Sequence, residues 1–138
     1  MCANIVKPEY KYSEITGKIL ASSFEVFNTL GCGFLESVYH RSLIVEFNSR
    51  NIKFDSEYQM SIFYKNQKVG ARRCDFLIEK VITVEIKAVS KLEDVHLAQA
   101  INYLEAFNIE IGMLINFGAK SLEYKRLAHP KLFKDKSK

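Results

Sequence analysis

Two short stretches hold the residues whose types and spacing suit chemistry: Arg73-Cys74-Asp75-Phe76-Leu77-Ile78 and Val84-Glu85-Ile86-Lys87-Ala88. Side chains alternate across a strand, so Glu85 and Lys87 project from one face about 7 Å apart, while Ile82, Val84 and Ile86 project from the other and enter a core. Two charges on a mostly apolar strand are costly unless they pair or bind something. Asp75 lies upstream on the partner strand of a hairpin. A strict two-residue turn at Glu79-Lys80 pairs Asp75 with Val84, so the spacing predicts an odd-numbered connection, or a kink near Asp75, that brings it opposite Glu85. Two carboxylates and an ammonium at this geometry suit phosphodiester hydrolysis. The carboxylates, with the Ile86 carbonyl as a further oxygen ligand, hold a hard cation such as Mg²⁺ or Mn²⁺. The cation stabilises developing charge and acidifies a water, and Lys87 orients that water or helps neutralise the phosphate. From spacing alone, a structural salt bridge on a sheet accounts for the same three residues equally well.

The elements that must position these residues follow from periodicity. Ile15, Ile19, Val26, Phe27 and Leu30 recur at helical spacing, which predicts a helix over Ser13–Leu30 with Ser13 as its N-cap. Gly31-Cys32-Gly33 ends it, read as a helix stop and tight connection and not as a phosphate cradle, because no strand precedes it. A second helix is expected from Phe34 to about Arg50, with Leu35, Val38, Tyr39, Leu43 and Phe47 on one face. Three strands are then expected, at 57–65, 69–79 and 81–89, with turns at Asn66-Gln67 and near Glu79-Lys80. Ser90-Lys91-Leu92-Glu93 has capping-box spacing and predicts a third helix from there to about Asn108, burying Leu97, Ile101, Leu104 and Phe107. An apolar run, 109–117, reads as a buried strand and 122–127 as an edge strand. The order α-α-β-β-β-α-β-β gives an α/β fold, a mixed sheet flanked by helices.

The bulk properties fit one such domain, over 13–128, with an N-terminal extension (1–12) and a basic tail (129–138). The tail reads as a solvated terminus, with a nonspecific phosphate-binding arm as the other reading. A hydrophobic fraction of 48% with 10 Phe and 7 Tyr supports a packed core and argues against a largely disordered chain. No apolar run is long enough to cross a bilayer, and no signal peptide is expected. Cys2, Cys32 and Cys74 are odd in number and far apart, which suggests neither a disulfide framework nor a zinc site and fits a reducing cytosol. The net charge of +4 is compatible with a polyanionic partner without demanding one.

Asp75 followed by Glu85-Ile86-Lys87 on a hairpin before a helix resembles the PD-(D/E)XK nuclease signature, with Cys74 in place of its proline. A closer resemblance is to the small GxxExxY proteins, grouped with those nucleases. It is carried by Gly33-Phe34-Leu35-Glu36-Ser37-Val38-Tyr39, Arg73 to Asp75, Glu85 to Val89, His96, Gln99, Asn102 and Tyr103, Leu114 to Gly118, and Leu122 to Leu127. The ordered set covers roughly Ile15 to Leu127 and implies a restriction-endonuclease-like core. It further implies that Glu36 completes the metal shell beside Asp75, Glu85 and Ile86, or supports those ligands from just behind them. Gln99 and Tyr103, one helical turn apart with His96 on the same face, resemble the Gln-x-x-x-Tyr element of RecB-like nucleases and would support substrate. Each also has a plainer reading: Glu36 as a first-turn helix residue, Gln99 bonding backbone, Tyr103 in the core with a satisfied hydroxyl. Arg72 and Arg73 read as phosphate contacts or as a solvated strand edge, with Arg73 taken as the substrate-binding candidate. His40 and His129 have no supporting neighbours in sequence.

The expectation is therefore an Mg²⁺- or Mn²⁺-dependent nuclease with Asp75, Glu85, Lys87 and Glu36 as its catalytic set. Its substrate would be DNA, with RNA left open. The rival expectation is a noncatalytic nucleic-acid-binding or assembly module that keeps the fold. A domain this small also raises a homodimer, or a partner subunit, as a way to grip a duplex.

Overall fold

The computed structural model describes residues 11–132, so most of the N-terminal extension and the basic tail beyond Leu132 lie outside the described residues. Helices α1 (Ser13–Leu30) and α2 (Glu36–Ser49) precede strands β1 (Phe54–Tyr64), β2 (Gln67–Ile78) and β3 (Ile82–Lys87). Helix α3 (Asp94–Phe107) and strands β4 (Ile111–Asn116) and β5 (Glu123–Ala128) follow. The five strands form one sheet in the order β1-β2-β3-β4-β5, antiparallel throughout except for the parallel pair β3–β4 bridged by α3. This is the expected mixed sheet in the expected order. No helix among the described residues is long and apolar enough to cross a membrane.

Strand alternation divides the chain between the two faces of the sheet. Phe76, Ile78, Ile82, Val84, Ile86, Ile111, Met113 and Ile115 pack in one cluster with Ile19 and Val26 of α1 and Tyr39, Leu43 and Phe47 of α2. On the other face α3 buries Ala100, Tyr103 and Leu104. Gly112 lets α3 approach: a Cβ there would lie 2.6 Å from Thr83 Oγ1 and 3.0 Å from Leu104 Cδ2.

Several boundaries differ from the sequence expectation, each for a local reason. Tyr12, not Ser13, occupies the N-cap of α1, with φ 57° and its carbonyl accepting from Thr16 N. Helix α2 begins at Glu36, so Leu35 is its extended N-cap residue and stays 76% exposed instead of joining the buried face. The first hairpin turns at Lys65-Asn66, one residue earlier than expected; both have positive φ, the geometry of a tight hairpin turn, and Tyr64 pairs with Gln67. Strand β3 ends at Lys87, because Asn116 takes both backbone groups of Val89. The capping box of α3 is Glu93 with His96, not Ser90 with Glu93, and the helix starts at Asp94. Within α3, Leu97, Ile101 and Phe107 are only partly buried, whereas Tyr103 is buried.

Candidate active site

The connection between β2 and β3 is the three-residue segment 79–81, with Ile78 paired to Ile82 and Phe76 to Val84. An odd connection is what the sequence spacing requires for Asp75 to face Glu85. The ladder stops there: Asp75 Oδ2 accepts the Ile86 N–H at 2.7 Å, a side chain standing where a strand carbonyl would. A kink accompanies the break. Glu57, across from Asp75, has φ 53°, and the β1–β2 pairs resume on either side at Ser56–Phe76 and Tyr58–Cys74. Phe76 therefore packs with α1 and α2, while Cys74, two residues away, packs with Met60 and Tyr103 on the α3 face. Both the odd connection and the kink are present.

The site has two compartments meeting at this kink. Asp75 opens into a cleft of about 350 Å³ lined by Glu36, Ser37, His40, Arg41, Glu57, Arg73 and Ile86. Glu85 and Lys87 open on the α3 side into a crevice of about 20 Å³ shared with Arg72, His96, Gln99 and Tyr103. The two carboxyls are neighbours across the boundary between the compartments. Burial, then the charge of Asp75, pushes the Glu85 carboxyl up to about 8, against the opposing pull of Lys87 and Arg72. Burial also raises Asp75, offset by the Ile86 N–H and by His40 and Lys87. Glu85 thus keeps its proton at neutral pH, and its Oε1 is buried with no hydrogen-bond partner.

Glu36 joins this group through α2. Its carboxyl is raised by burial and by Asp75, and lowered by Lys87 and His40. The Gly33-to-Tyr39 segment explains its placement. Gly31 and Gly33 take positive φ, and the Tyr39 hydroxyl donates to Gly31 O at 2.6 Å and accepts from Phe34 N at 3.2 Å. The Tyr39 ring stacks on Phe117 with centroids 4.7 Å apart, so the tight loop and the first turn of α2 are pinned to the end of β4.

The other sequence candidates fall on both sides. Arg73 rims the Asp75 cleft, and its weak ion pair with Glu57 spans 3.9 Å. Gln99 is exposed and lines the Glu85 crevice. The Tyr103 hydroxyl donates to Arg73 O at 2.7 Å, which ties α3 to the kinked strand.

Two residues gained a place that sequence reasoning did not give them. His40 stacks on Phe76 at 4.5 Å, with its Nε2 3.3 Å from Asp75 O and 3.4 Å from Ser56 Oγ. Its spacing of four from Glu36 on one helix was the available signal. Arg72 lies 4.0 Å above the Tyr103 ring and faces Glu85; the kink that puts it there leaves no mark on periodicity.

A divalent cation is the group this donor set implies. Among the described residues no group of three or more His, Cys, Asp or Glu side chains is placed so that it could hold a metal ion. A two-carboxylate site suits Mg²⁺, which is held by one or two carboxylates together with waters and phosphate oxygens. The partnerless Glu85 Oε1 beside Asp75 fits that demand.

Comparison with known proteins agrees with this architecture. The solved structure of SSO0001 superposes with a TM-score of 0.54 at 21% identity, over 89% of this chain and 61% of that one. This chain therefore spans less than two thirds of that protein's length, and the likeness concerns the fold. No curated protein matches the chain. The family model of the PD-(D/E)XK nuclease superfamily matches residues 13–127, and the chain belongs to that superfamily.

Proposed function

We propose that this protein is a divalent-metal-dependent nuclease that hydrolyses phosphodiester bonds in nucleic acid, DNA before RNA, in a reducing cytosol. The observation that carries the reading is the meeting of Asp75 and Glu85 at the break in the ladder, where Asp75 Oδ2 accepts the Ile86 N–H and Glu85 Oε1 is buried without a partner. Asp75 and Glu85, with the Ile86 carbonyl and Glu36, would hold the cation. When bound, Mg²⁺ or Mn²⁺ supplies positive charge against the charge that develops on the phosphate and lowers the pKa of water. Lys87, on the same strand face as Glu85, orients the attacking water and balances phosphate charge. Arg41 and Arg73 at the cleft rim accept flanking phosphates. Gln99 reaches substrate from α3, and Tyr103 holds the strand that carries Arg73 and Asp75. The Gly33-to-Tyr39 segment supports membership of the GxxExxY group, with Glu36 as its motif carboxylate.

The test pairs calorimetry of Mg²⁺ and Mn²⁺ binding with cleavage assays on mixed DNA and RNA. Asp75→Ala and Lys87→Ala should each lower cleavage by about 100-fold or more while circular dichroism stays that of the wild type. Asp75→Ala and Glu85→Ala should also lose the cation. Hydrolysis unaffected in either of the first two variants sinks the assignment. A noncatalytic module keeping the fold is the second reading, favoured by the lack of any three-residue His, Cys, Asp or Glu metal group among the described residues. Tight, salt-sensitive nucleic-acid binding without cleavage under any divalent cation would select it.

A further inference from the structure

The β1–β2 hairpin outruns the rest of the sheet. β2 pairs with β3 only at Phe76–Ile78, so the ribbon from Tyr58 to Arg73 continues beyond β3 for about 20 Å. That ribbon holds Lys65, Lys68, Arg72 and Arg73 and no Asp or Glu, in a chain with 20 basic and 16 acidic residues overall. All positions from Phe63 to Val69 are exposed, with Phe63 64% and Tyr64 63% accessible. A free edge guarded only against aggregation needs lysines and polar residues; aromatic rings among them are costly in water unless something covers them. The Lys65 ammonium lies 5.4 Å above the Tyr64 ring. Phe63 and Lys68 are direct cross-strand partners, as are Ser61 and Ala71, and Gln59 and Arg73. On β1 alternation puts Gln59, Ser61 and Phe63 on one face, with Arg73 and Ala71 beside the first two, and a bulge between Ile62 and Phe63 sets Lys68 opposite Phe63 at the tip. At its inner end, Arg73 lines the cleft that holds Asp75, so one lane runs from the carboxylates to the tip.

We infer that this ribbon is a nucleic-acid-binding arm, stacking unpaired bases on Phe63 and Tyr64 and holding phosphates on Lys65, Lys68 and Arg73 as the strand leaves the cleft. The inference rests on nucleic acid being the substrate. Rings interleaved with cations are the chemistry that grips a single strand without reading its sequence. A second copy of this chain fits the ribbon less well, because two ribbons paired across a twofold axis would bring the same uncompensated lysines together.

Fluorescence anisotropy with a labelled single-stranded oligonucleotide and its duplex, in EDTA so that nothing is cut, tests the arm apart from the chemistry. Lys65→Ala with Lys68→Ala should weaken single-strand binding by about tenfold and reduce the log–log salt slope by about 1.4. Phe63→Ser with Tyr64→Ser should weaken it by about fivefold or more, keep the salt slope, and affect the duplex less. Lys120→Ala with Lys125→Ala, at the opposite end of the sheet, should bind as the wild type does. If both arm variants bind like a tightly binding wild type, the arm inference fails and the nuclease reading stands. Wild-type protein that binds no nucleic acid, in EDTA or with Ca²⁺, would overturn both. Arm variants that keep full binding but turn a dimer into a monomer in sedimentation would make the ribbon a protein interface, and also overturn the inference.

Discussion

At the scale of single residues, Glu85 is the group whose behaviour is most sharply defined by its surroundings. In the unfolded chain its carboxyl titrates near an ordinary 4.5, and in the folded protein at about 8. Between those values the unfolded chain has released a proton that the folded one keeps. Raising pH from 4.5 to 8 therefore lowers the stability of the cation-free protein, and the loss levels off above 8. Glu85→Gln removes that slope. Urea unfolding should find it about 1–3 kcal/mol more stable than wild type at pH 8 and nearly equal at pH 5. A more stable protein without its key carboxylate is the expected mark of a site built for function. The Glu85–Lys87 pair was legible in sequence because charges at period two interrupt an aliphatic strand. His40 was not, because only the folded chain brings it to the Asp75 carbonyl.

At the scale of elements, the site depends on connections more than on strands. Asn116 is wholly buried, yet its amide serves Val89 N and O, Gly118 N and Glu123 Oε1, and Glu123 in turn accepts from Leu92 N. This cluster fixes the path from Lys87 to the start of α3. Asn116→Ala leaves several buried backbone groups without partners and should cost about 2–4 kcal/mol in chemical denaturation. Gly118→Ala places a Cβ 2.4 Å from Val89 N and 2.5 Å from Val89 O, backbone atoms that cannot swing aside. It should cost about 3 kcal/mol, or prevent soluble expression. The same cluster explains why β3 and α3 were harder to delimit than α1, which spans Ser13–Leu30 as its periodicity indicates. Helical repeats are written in one segment. The end of β3 is set by an asparagine 27 residues beyond Val89, and no local pattern carries it.

At the scale of the whole molecule, cation binding and folding are linked. A cation that binds only the folded chain should stabilise it by about 2.7 kcal/mol at one hundred times its dissociation constant. Because the cation must displace the proton that Glu85 holds, the rise in Tm on adding Mg²⁺ should be larger at pH 8.5 than at pH 6.5. Differential scanning fluorimetry at the two pH values measures this, and Asp75→Ala should flatten both responses. The three-layer order was legible from the alternation of periods along the chain. The division of the site into two compartments was not, since it arises where Glu57 and Asp75 break the ladder and reverse the side-chain parity of β2.

That α3 has only Ala100, Tyr103 and Leu104 fully buried, while α1 and α2 share the extended cluster opposite, has a consequence for opening. The two layers need not open together. Native-state hydrogen exchange should find α3 amides released in a partial opening of lower free energy, while those of β3 and β4 wait for global unfolding. In that opened form Gln99 and His96 leave the crevice with their helix, and the Arg72 and Glu85 side of the site is bared to solvent.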